Sequence, residues 1–282
     1  MAQSRQEKEQ IFHDEWASSM TVDEVSVRAA FEAPTAPENR YILRQMGDLR
    51  GRRILDIGCG LGESSIYFAL QGAQVTAVDI SPKMIELAQR LAGQYGVRIK
   101  TAVSDAESLG VEPGAFDFVF LGNLLHHVSD REHLLRQVNL ALRPGGRFFS
   151  WDPLAYNPVI NLYRRLATKV RTEDETPLTK ADLAVASRIF HRVGHREFWY
   201  LGLGIFLKYF LIDRVHPNAD RYWKRILTER PTTMRCMRLL MAVDHLIGFI
   251  PGIHWWGWNM VMWGEKAAEG AVARINIAGG KP

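Results

Sequence analysis

The segment Ile54-Leu-Asp-Ile-Gly-Cys-Gly-Leu-Gly62 decides the fold. Its first residues continue a buried-strand pattern that begins at Arg53, and its last residues are rich in glycine. Helical spacing then runs from Glu63 to Leu70 and ends at Gly72. A strand, a glycine-rich turn and a helix bring backbone N–H groups close to a ligand, because glycine has no side chain to hold it away. The segment therefore predicts a ligand-binding loop at the C-terminal end of a strand.

The glycine spacing in this loop argues against a nicotinamide dinucleotide as the ligand. The dinucleotide-binding fingerprint requires a further glycine at the position where this chain has Glu63. A glycine loop by itself is a weak signal, so the loop does not identify the ligand. The strands that follow the loop give further evidence for which ligand it binds.

Four further strand patterns follow the loop, and each ends in polar or glycine residues. They are Gln74 to Val78 followed by Asp79, Arg98 to Val103 followed by Ser104 to Glu107, Phe116 to Leu121 followed by Gly122 to His127, and Arg147 to Trp151 followed by Asp152. The carboxyl ends of parallel strands lie on one edge of a sheet, where ligands of α/β proteins bind. Asp79 is placed to accept hydrogen bonds from both hydroxyls of a ribose, and a carboxylate at Asp105 or Glu107 could accept one from an adenine amino group.

Five segments in this region resemble the successive motifs of class I S-adenosylmethionine-dependent methyltransferases. In order, they are Ile54 to Gly62, Val78 to Met84, Asp105 to Glu107, Phe116 to His127, and Leu142 to Gly146. The resemblance covers about residues 50–152. It implies a doubly wound, Rossmann-like α/β sheet of seven strands in the order 3-2-1-4-5-7-6, with strand 7 antiparallel. Gly194 to Leu201 and Trp258 to Gly264 are the candidates for strands 6 and 7.

The resemblance also implies S-adenosyl-L-methionine as the cofactor and assigns the residues that bind it. Asp56 and the glycine loop would hold the methionine end, and Asp79 would bind the ribose. Met84, Asp105 and Ala106 would lie at the adenine, while Asn123 would line the sulfonium side. In chain order, the implied cofactor-binding residues are Asp56, Gly58, Cys59, Gly60, Gly62, Asp79, Ile80, Met84, Asp105, Ala106, Glu107 and Asn123.

Methyl transfer needs alignment of the acceptor, the methyl carbon and the sulfur more than it needs covalent chemistry from the protein. An acceptor hydroxyl or activated carbon also needs a base to take a proton. The candidates are His13, Asp14, His126, His127, Asp152 and Tyr156, of which His127, Asp152 and His13 are placed first as catalytic residues. The sequence does not choose among them. His126 and His127 have no carboxylate or cysteine at ligand spacing, so no metal site is predicted.

The composition and spacing of its residues divide the chain into three parts. Residues 1–50 are predicted to form an N-terminal helical lid, residues 51–202 and 254–282 the methyltransferase core, and residues 203–253 a helical cap inserted between strands 6 and 7. Apolar residues at helical spacing in the cap are interspersed with Lys and Arg; this apolar set is Phe206, Tyr209, Phe210, Trp223, Ile226 and Leu227. Such a mixture suits a membrane interface or an amphiphilic substrate. We expect these side chains to form the path by which a hydrophobic acceptor enters the site.

The cap and the motifs together define the expected function. The chain is expected to methylate a hydrophobic or amphiphilic small molecule (isoprenoid, quinone or lipid-like) at or near a membrane surface. Two alternatives stay open, namely a methyltransferase of a soluble natural product and a non-catalytic module that binds the cofactor. A pI of ≈ 9.1 invites nucleic acid as a partner. That partner is disfavoured because Gly122 to Leu125 lacks the Asn/Asp-Pro-Pro-aromatic loop of base N-methyltransferases.

The amino-acid composition predicts the cellular compartment in which the protein works. Apolar residues make up 47% of the 282 residues, which is enough for a large core. The two cysteines, Cys59 and Cys236, cannot form a disulfide framework, and this predicts a reducing, cytoplasmic compartment. No stretch reaches about 18 uninterrupted apolar residues, so membrane contact is expected to be peripheral, on the inner face. The oligomeric state does not follow from the sequence.

Overall fold

The predicted sheet is present in the structure. A computed structural model describes residues 4–168, 175–226, 229 and 231–268. Its strands are β1 Arg53–Ile57, β2 Gln74–Asp79, β3 Lys100–Val103, β4 Phe116–Gly122, β5 Leu142–Pro153, β6 Arg192–Phe198 and β7 Asn259–Glu265. They form one sheet in the order β3-β2-β1-β4-β5-β7-β6.

The strand directions also match the prediction. Strands β1 to β5 pair in parallel, and β7 pairs antiparallel with both β5 and β6. Several strand boundaries differ from those predicted, most of all those of β5 and β6. β6 ends at Phe198 instead of Leu201, because Trp199 adopts a left-handed backbone conformation with φ 68 that leaves the strand. β5 begins at Leu142, since this residue already pairs with Phe116 before the register shifts.

Helices cover the sheet. They are α1 Arg5–Ser18, α2 Val27–Glu32, α3 Pro37–Met46, α4 Glu63–Leu70, α5 Pro82–Gln94, α6 Arg131–Ala141, α7 Pro158–Leu166, α8 Lys180–Ile189, α9 Gly204–Leu207, α10 Tyr222–Arg225 and α11 Pro231–Ile247. α4 has the predicted bounds. The sequence predicts a helix from Lys180 to Arg192. α8 instead ends at Ile189, because Arg192 already pairs with Glu265 as the first residue of β6.

The caps of two helices test local sequence reasoning. α5 begins as predicted, because the Ser81 side chain accepts the Met84 amide and Pro82 occupies the first turn. Ser129 and Glu132 have the spacing of a capping box, which predicts Ser129 as the cap of α6, and this prediction is wrong. Asp130 is the N-cap, and its carboxylate accepts the His133 amide.

Each face of the sheet has its own apolar core. Ile54 of β1 belongs to one core together with residues of α2 to α5, and its neighbour Leu55 belongs to the other with residues of α6 and α8. Burial on both faces explains why the central strands read as nearly continuous apolar runs. The doubly wound arrangement leaves the C-terminal ends of the strands as the ligand-binding edge.

The N-terminal helices pack against this core and reach its ligand-binding edge. α1 packs against α5, α2 against α4 and α3 against β7. Two hydrogen bonds fasten α1 at the start of α5: the Ser81 hydroxyl donates to the Asp14 carboxylate at 2.5 Å, and the Lys83 ammonium donates to the Ser18 hydroxyl at 2.8 Å. α1 therefore lies beside the tip of β2.

The segment between β6 and β7 folds around an aromatic core of its own. Phe206 and Tyr209 are buried there, so the expectation that they line an acceptor path is wrong. Phe210 stays exposed. Leu227 and the side chain of Trp223 lie outside the described residues. Within the described part of the chain, no helix has the length and apolar character needed to cross a membrane.

Candidate active site

A cavity of about 400 Å³ opens at the C-terminal edge of the parallel strands, a size typical of small-molecule sites. The tips of β1 to β4 contribute to its wall Gly58, Cys59, Gly60, Asp79, Ile80, Asp105, Ala106, Glu107 and Asn123. These are all the predicted cofactor residues except Asp56, Gly62 and Met84. The strand tips therefore meet at one site, as their positions in the sequence predict.

The glycine loop is tied to the tip of β2 by backbone hydrogen bonds. The amides of Gly58 and Cys59 both donate to the Val78 carbonyl, at 2.8 and 3.0 Å. Gly60 has φ +52, a conformation that favours glycine, and a Cβ placed on it would meet no protein atom within 4 Å. Because Gly60 also lines the cavity, its backbone is open to a ligand at close range.

Asp79 organises the loop and still faces the cavity. Its Oδ2 accepts the Gly60 amide at 2.8 Å, and its Oδ1 accepts the Ser81 amide at 2.9 Å. Burial raises the pKa of Asp79, while these two backbone amides lower it. Each carboxylate oxygen has a second lone pair, so the group can accept further hydrogen bonds from a ligand. The arrangement fits the two adjacent hydroxyls of a ribose.

Three predicted cofactor residues lie behind the cavity wall. Asp56 accepts the hydroxyls of Ser64 and Ser65 at 2.5 Å each, and burial raises its pKa to about 6. Gly62, with φ +90, is the N-cap of α4, and a Cβ there would come within 2.9 Å of the Ala88 Cβ. Met84 is fully buried in the apolar core. These residues hold the loop and its helix in place, and their direct contact with the cofactor stays a prediction.

His126 and Asp152 form a buried pair at the end of β4 and β5. The Nδ1 atom of His126 lies 2.9 Å from Asp152 Oδ1, and the His126 amide donates to the same oxygen at 3.2 Å. Burial raises the pKa of Asp152 well above its usual range, and the positive charge of Arg131 and the amide of His126 lower it. Asp152 Oδ1 accepts the His126 amide proton, and it also favours a proton on Nδ1 of the His126 ring. Nε2 is then the ring nitrogen that can take a proton.

This pair changes the interpretation of Asp152. His126 lines the cavity, whereas the side chain of Asp152 is completely buried behind it. Asp152 therefore does not face the cavity as the sequence predicts, and its side chain contacts His126 instead. The position of Asp152 at the end of a strand suggested that it faces the ligand. The direction of its side chain depends instead on its tertiary contact with His126.

His127, which follows β4, and His13 of helix α1 both lie close to Glu9 of α1. The Nδ1 atom of His127 lies 3.2 Å from Glu9 Oε1, and His13 Nε2 lies 3.6 Å from Glu9 Oε2. All three residues line the cavity. Their potential ligand atoms lie within 4.8 Å of one another, a spacing compatible with a metal ion. The sequence argument against a metal site assumed that no carboxylate was near, and it missed Glu9.

The remaining two candidate bases have other roles. Asp14 accepts the hydroxyl of Ser81, and the Tyr156 hydroxyl accepts the amide of Lys180 at 3.0 Å. Neither residue belongs to the cavity wall that the structure describes. The candidates that reach the cavity are therefore His13, His126 and His127.

Aromatic side chains form another part of the cavity wall. Among them are Phe31, Phe120, Trp151, Trp199, Tyr163 and Trp258. Glu38 also lines this part and accepts a hydrogen bond from the Asn259 side chain at 2.7 Å. Burial raises the pKa of Glu38 to about 7. Sequence reasoning missed Glu38, because it lies on a helix that carries no motif and is brought to the site by packing against β7.

Glu38 should make the stability of the protein depend on pH. Its pKa is about 7 in the folded chain and 4.5 ordinarily, so folding favours the neutral carboxyl. The stabilisation is complete below the ordinary pKa and is lost as the pH rises through about 7. Relative to a Glu38→Gln variant, the wild type is expected to lose about 3 kcal/mol of unfolding free energy between about pH 4.5 and pH 8. Urea unfolding of both proteins across this range measures the difference.

The control for this experiment is Glu86→Gln, which removes an exposed carboxylate on α5. Its unfolding free energy should follow the wild type at every pH. A Glu38→Gln variant that also runs parallel to the wild type would mean that Glu38 titrates near its ordinary pKa.

The central part of the chain matches a known protein family. Residues 55–150 match a family described as a methyltransferase domain. A ubiquinone biosynthesis O-methyltransferase of Xanthomonas euvesicatoria pv. vesicatoria is 40% identical over 103 residues, which cover 36% of this chain and 43% of that protein. The enzyme of the same name from Methylocella silvestris is 38% identical over 120 residues, covering 43% and 46%. The chain thus spans less than half the length of these relatives.

A solved structure is similar over more of the chain. Phosphoethanolamine N-methyltransferase 2 of Haemonchus contortus, in complex with phosphomonomethylethanolamine and S-adenosylhomocysteine, superposes with a TM-score of 0.59. The superposition covers 95% of this chain and 61% of that one, at 20% sequence identity. At this identity the likeness establishes the fold and leaves the substrate open.

Proposed function

From the class I methyltransferase domain that residues 55–150 form, we propose that the chain transfers a methyl group from S-adenosylmethionine to a hydroxyl of a hydrophobic, ring-bearing acceptor of the quinone type. One observation carries this proposal. A single cavity wall combines the strand-tip residues around Asp79, the His126–Asp152 pair and a set of aromatic side chains.

The strand-tip residues would hold the cofactor. The backbone at Gly58 and Gly60 would hold its methionine end, and the Asp79 carboxylate would accept both ribose hydroxyls. Asp105, Ala106 and the neighbouring tip residues would contact the adenine. When bound, this cofactor supplies a methyl group already activated by the sulfonium charge. The protein then has to align the acceptor, exclude water and take one proton.

His126 would take that proton. Asp152 holds Nδ1 at 2.9 Å and so fixes the imidazole in one orientation and one tautomer. A hydroxyl acceptor loses its proton as the oxygen–methyl bond forms, and Nε2 of His126 is the base that receives it. The buried carboxylate stabilises the imidazolium that results.

The aromatic part of the wall would bind the acceptor. Trp199 and Trp258, from the two ends of the segment between β6 and β7, face the same cavity as Phe31 and Phe120. Aromatic side chains bind a planar apolar ring through offset or edge contacts. The similar bacterial enzymes named for ubiquinone biosynthesis favour a quinone-type ring over other hydrophobic acceptors.

Transfer of label tests the proposal. The purified chain, incubated with methyl-labelled S-adenosylmethionine and either a lipid extract or a polar metabolite extract, should label a phenolic or quinol compound of the lipid extract. Mass spectrometry should locate one added methyl on oxygen. Label confined to the polar extract would instead identify a soluble natural product as the acceptor. Tight cofactor binding with no label in either extract would indicate a non-catalytic module.

A further inference from the structure

The outer face of α11 is apolar, although it faces solvent. Leu239, Val243 and Leu246 on α11 and Ile250 just after its end, which we call the apolar stripe, follow one another at helical spacing, and Leu239 is 72% and Leu246 66% exposed. A helix on the surface of a globular protein ordinarily turns such a stripe inward. α11 has a separate inward face, so the stripe is not needed for its packing.

The inward face of α11 is already occupied. Met237 is buried in the aromatic core of the inserted segment, and the buried Asp244 accepts the amides of Tyr200, Leu201 and Gly202 at 3.0, 2.6 and 3.0 Å. This carboxylate is the acidic group of α11, and it points away from the apolar stripe. The exposed side of the helix therefore carries no negative charge of its own.

Positive charge flanks the stripe. Arg235 and Arg238 are exposed on the same helix, and neither forms an ion pair with any residue that the structure describes. Elsewhere in the inserted segment, Leu211 and Ile212 are 65% and 75% exposed, and Asp213, which follows them, is paired with Lys208 at 2.8 Å. Apolar side chains flanked by unpaired arginines are the features of a helix that lies in the interface of an anionic membrane.

We propose that the apolar stripe and its flanking arginines dock on the surface of an anionic lipid bilayer. This inference rests on the proposed function and identifies the bilayer as the source of the acceptor. The same inserted segment that carries the stripe also contributes Arg221 and Ile226 to the cavity wall. A membrane-dissolved acceptor would thus pass from the bilayer to the site along one structural unit. This surface differs from the one expected from the sequence, because Phe206 and Tyr209 are buried.

Sedimentation with vesicles tests the docking. The full chain should bind vesicles of phosphatidylcholine with about one third phosphatidylglycerol at low salt, bind pure phosphatidylcholine weakly, and lose affinity as salt rises. A Leu239→Ser/Leu246→Ser variant should lose at least about tenfold in partitioning. An Arg235→Gln/Arg238→Gln variant should lose about 30-fold at low salt and little at high salt. Leu140→Ser, which changes a 53% exposed leucine on α6, is the matched control and should bind like the wild type.

Two further measurements separate this inference from the proposed function. Calorimetry with S-adenosylmethionine and turnover of acceptor in detergent should be the same in the stripe variant and the wild type. A wild-type chain that ignores anionic vesicles at low salt, or a stripe variant that binds them normally, would overturn the docking surface without touching the proposed reaction. A dimer in solution that the stripe variant dissociates would assign the stripe to a second copy of the chain, and would also overturn it.

Discussion

Replacing His126 with alanine is expected to lower turnover by roughly 10²–10⁴-fold while cofactor affinity stays near that of the wild type. The imidazole lies 2.9 Å from Asp152 and lines the cavity, so its loss would remove the group that we propose accepts the hydroxyl proton. The cofactor residues at the tips of β1 to β3 are untouched by this change. Initial rates with saturating acceptor, together with calorimetry for the cofactor, measure the two effects separately.

Asp152→Asn distinguishes a positioning role from a structural one. The amide fills nearly the same volume, but it presents an N–H as well as an oxygen to His126 and so weakens the preference for one tautomer. We expect a fall in kcat, a shifted pH profile and an unchanged KM for the cofactor. His127→Ala and His13→Ala are the matched comparisons at the same cavity. If either of them abolishes turnover and His126→Ala does not, the base belongs to the cluster around Glu9.

Asp79→Ala is expected to weaken S-adenosylmethionine and its demethylated product by about 2–4 kcal/mol, which is roughly 30- to 1,000-fold in Kd. The carboxylate accepts the Gly60 and Ser81 amides and faces the cavity, so two charge-assisted hydrogen bonds to a ribose disappear with it. Isothermal calorimetry with both ligands measures the loss.

Two controls make this result specific. Asp79→Asn keeps an acceptor for one backbone amide and should fall between the wild type and the alanine variant. Glu112→Ala removes a carboxylate that is 80% exposed and should bind both ligands normally. Equal affinity of Asp79→Ala and the wild type for the cofactor would refute the ribose assignment. Thermal unfolding of each variant identifies any loss that comes from a disordered loop.

The parts of the fold that depend on nearby residues could be predicted from the sequence. β1 and α4 have the predicted bounds, because an apolar run, glycines and helical spacing follow one another within a few residues. The cap of α5 at Ser81 was predictable for the same reason, while the choice of Asp130 over Ser129 for α6 was not. Both residues suit an N-cap, and Glu107 does not distinguish them, because it accepts the amides of both, at 2.9 and 3.3 Å.

The site was predictable where it depends on strand tips and not where it depends on distant packing. Asp79 follows its strand directly, so topology alone brings it to the cavity. Glu9 and Glu38 arrive on N-terminal helices far from any motif, and the partner of each is more than a hundred residues away. The direction of the Asp152 side chain likewise depends on His126, which belongs to another strand connection.

The pairing of Phe198 with Asn259 has a consequence for how such a protein changes over time. These residues are the last of β6 and the first of β7, so the chain leaves the sheet and returns to it at adjacent positions. The length of the segment between them can therefore change with little effect on the pairing of β6 with β7. The proposed cofactor edge is built before this point in the chain, on β1 to β4. Evolution, or an engineer, can thus alter the segment that contributes to the proposed acceptor site and leave the strands of the proposed cofactor site in place.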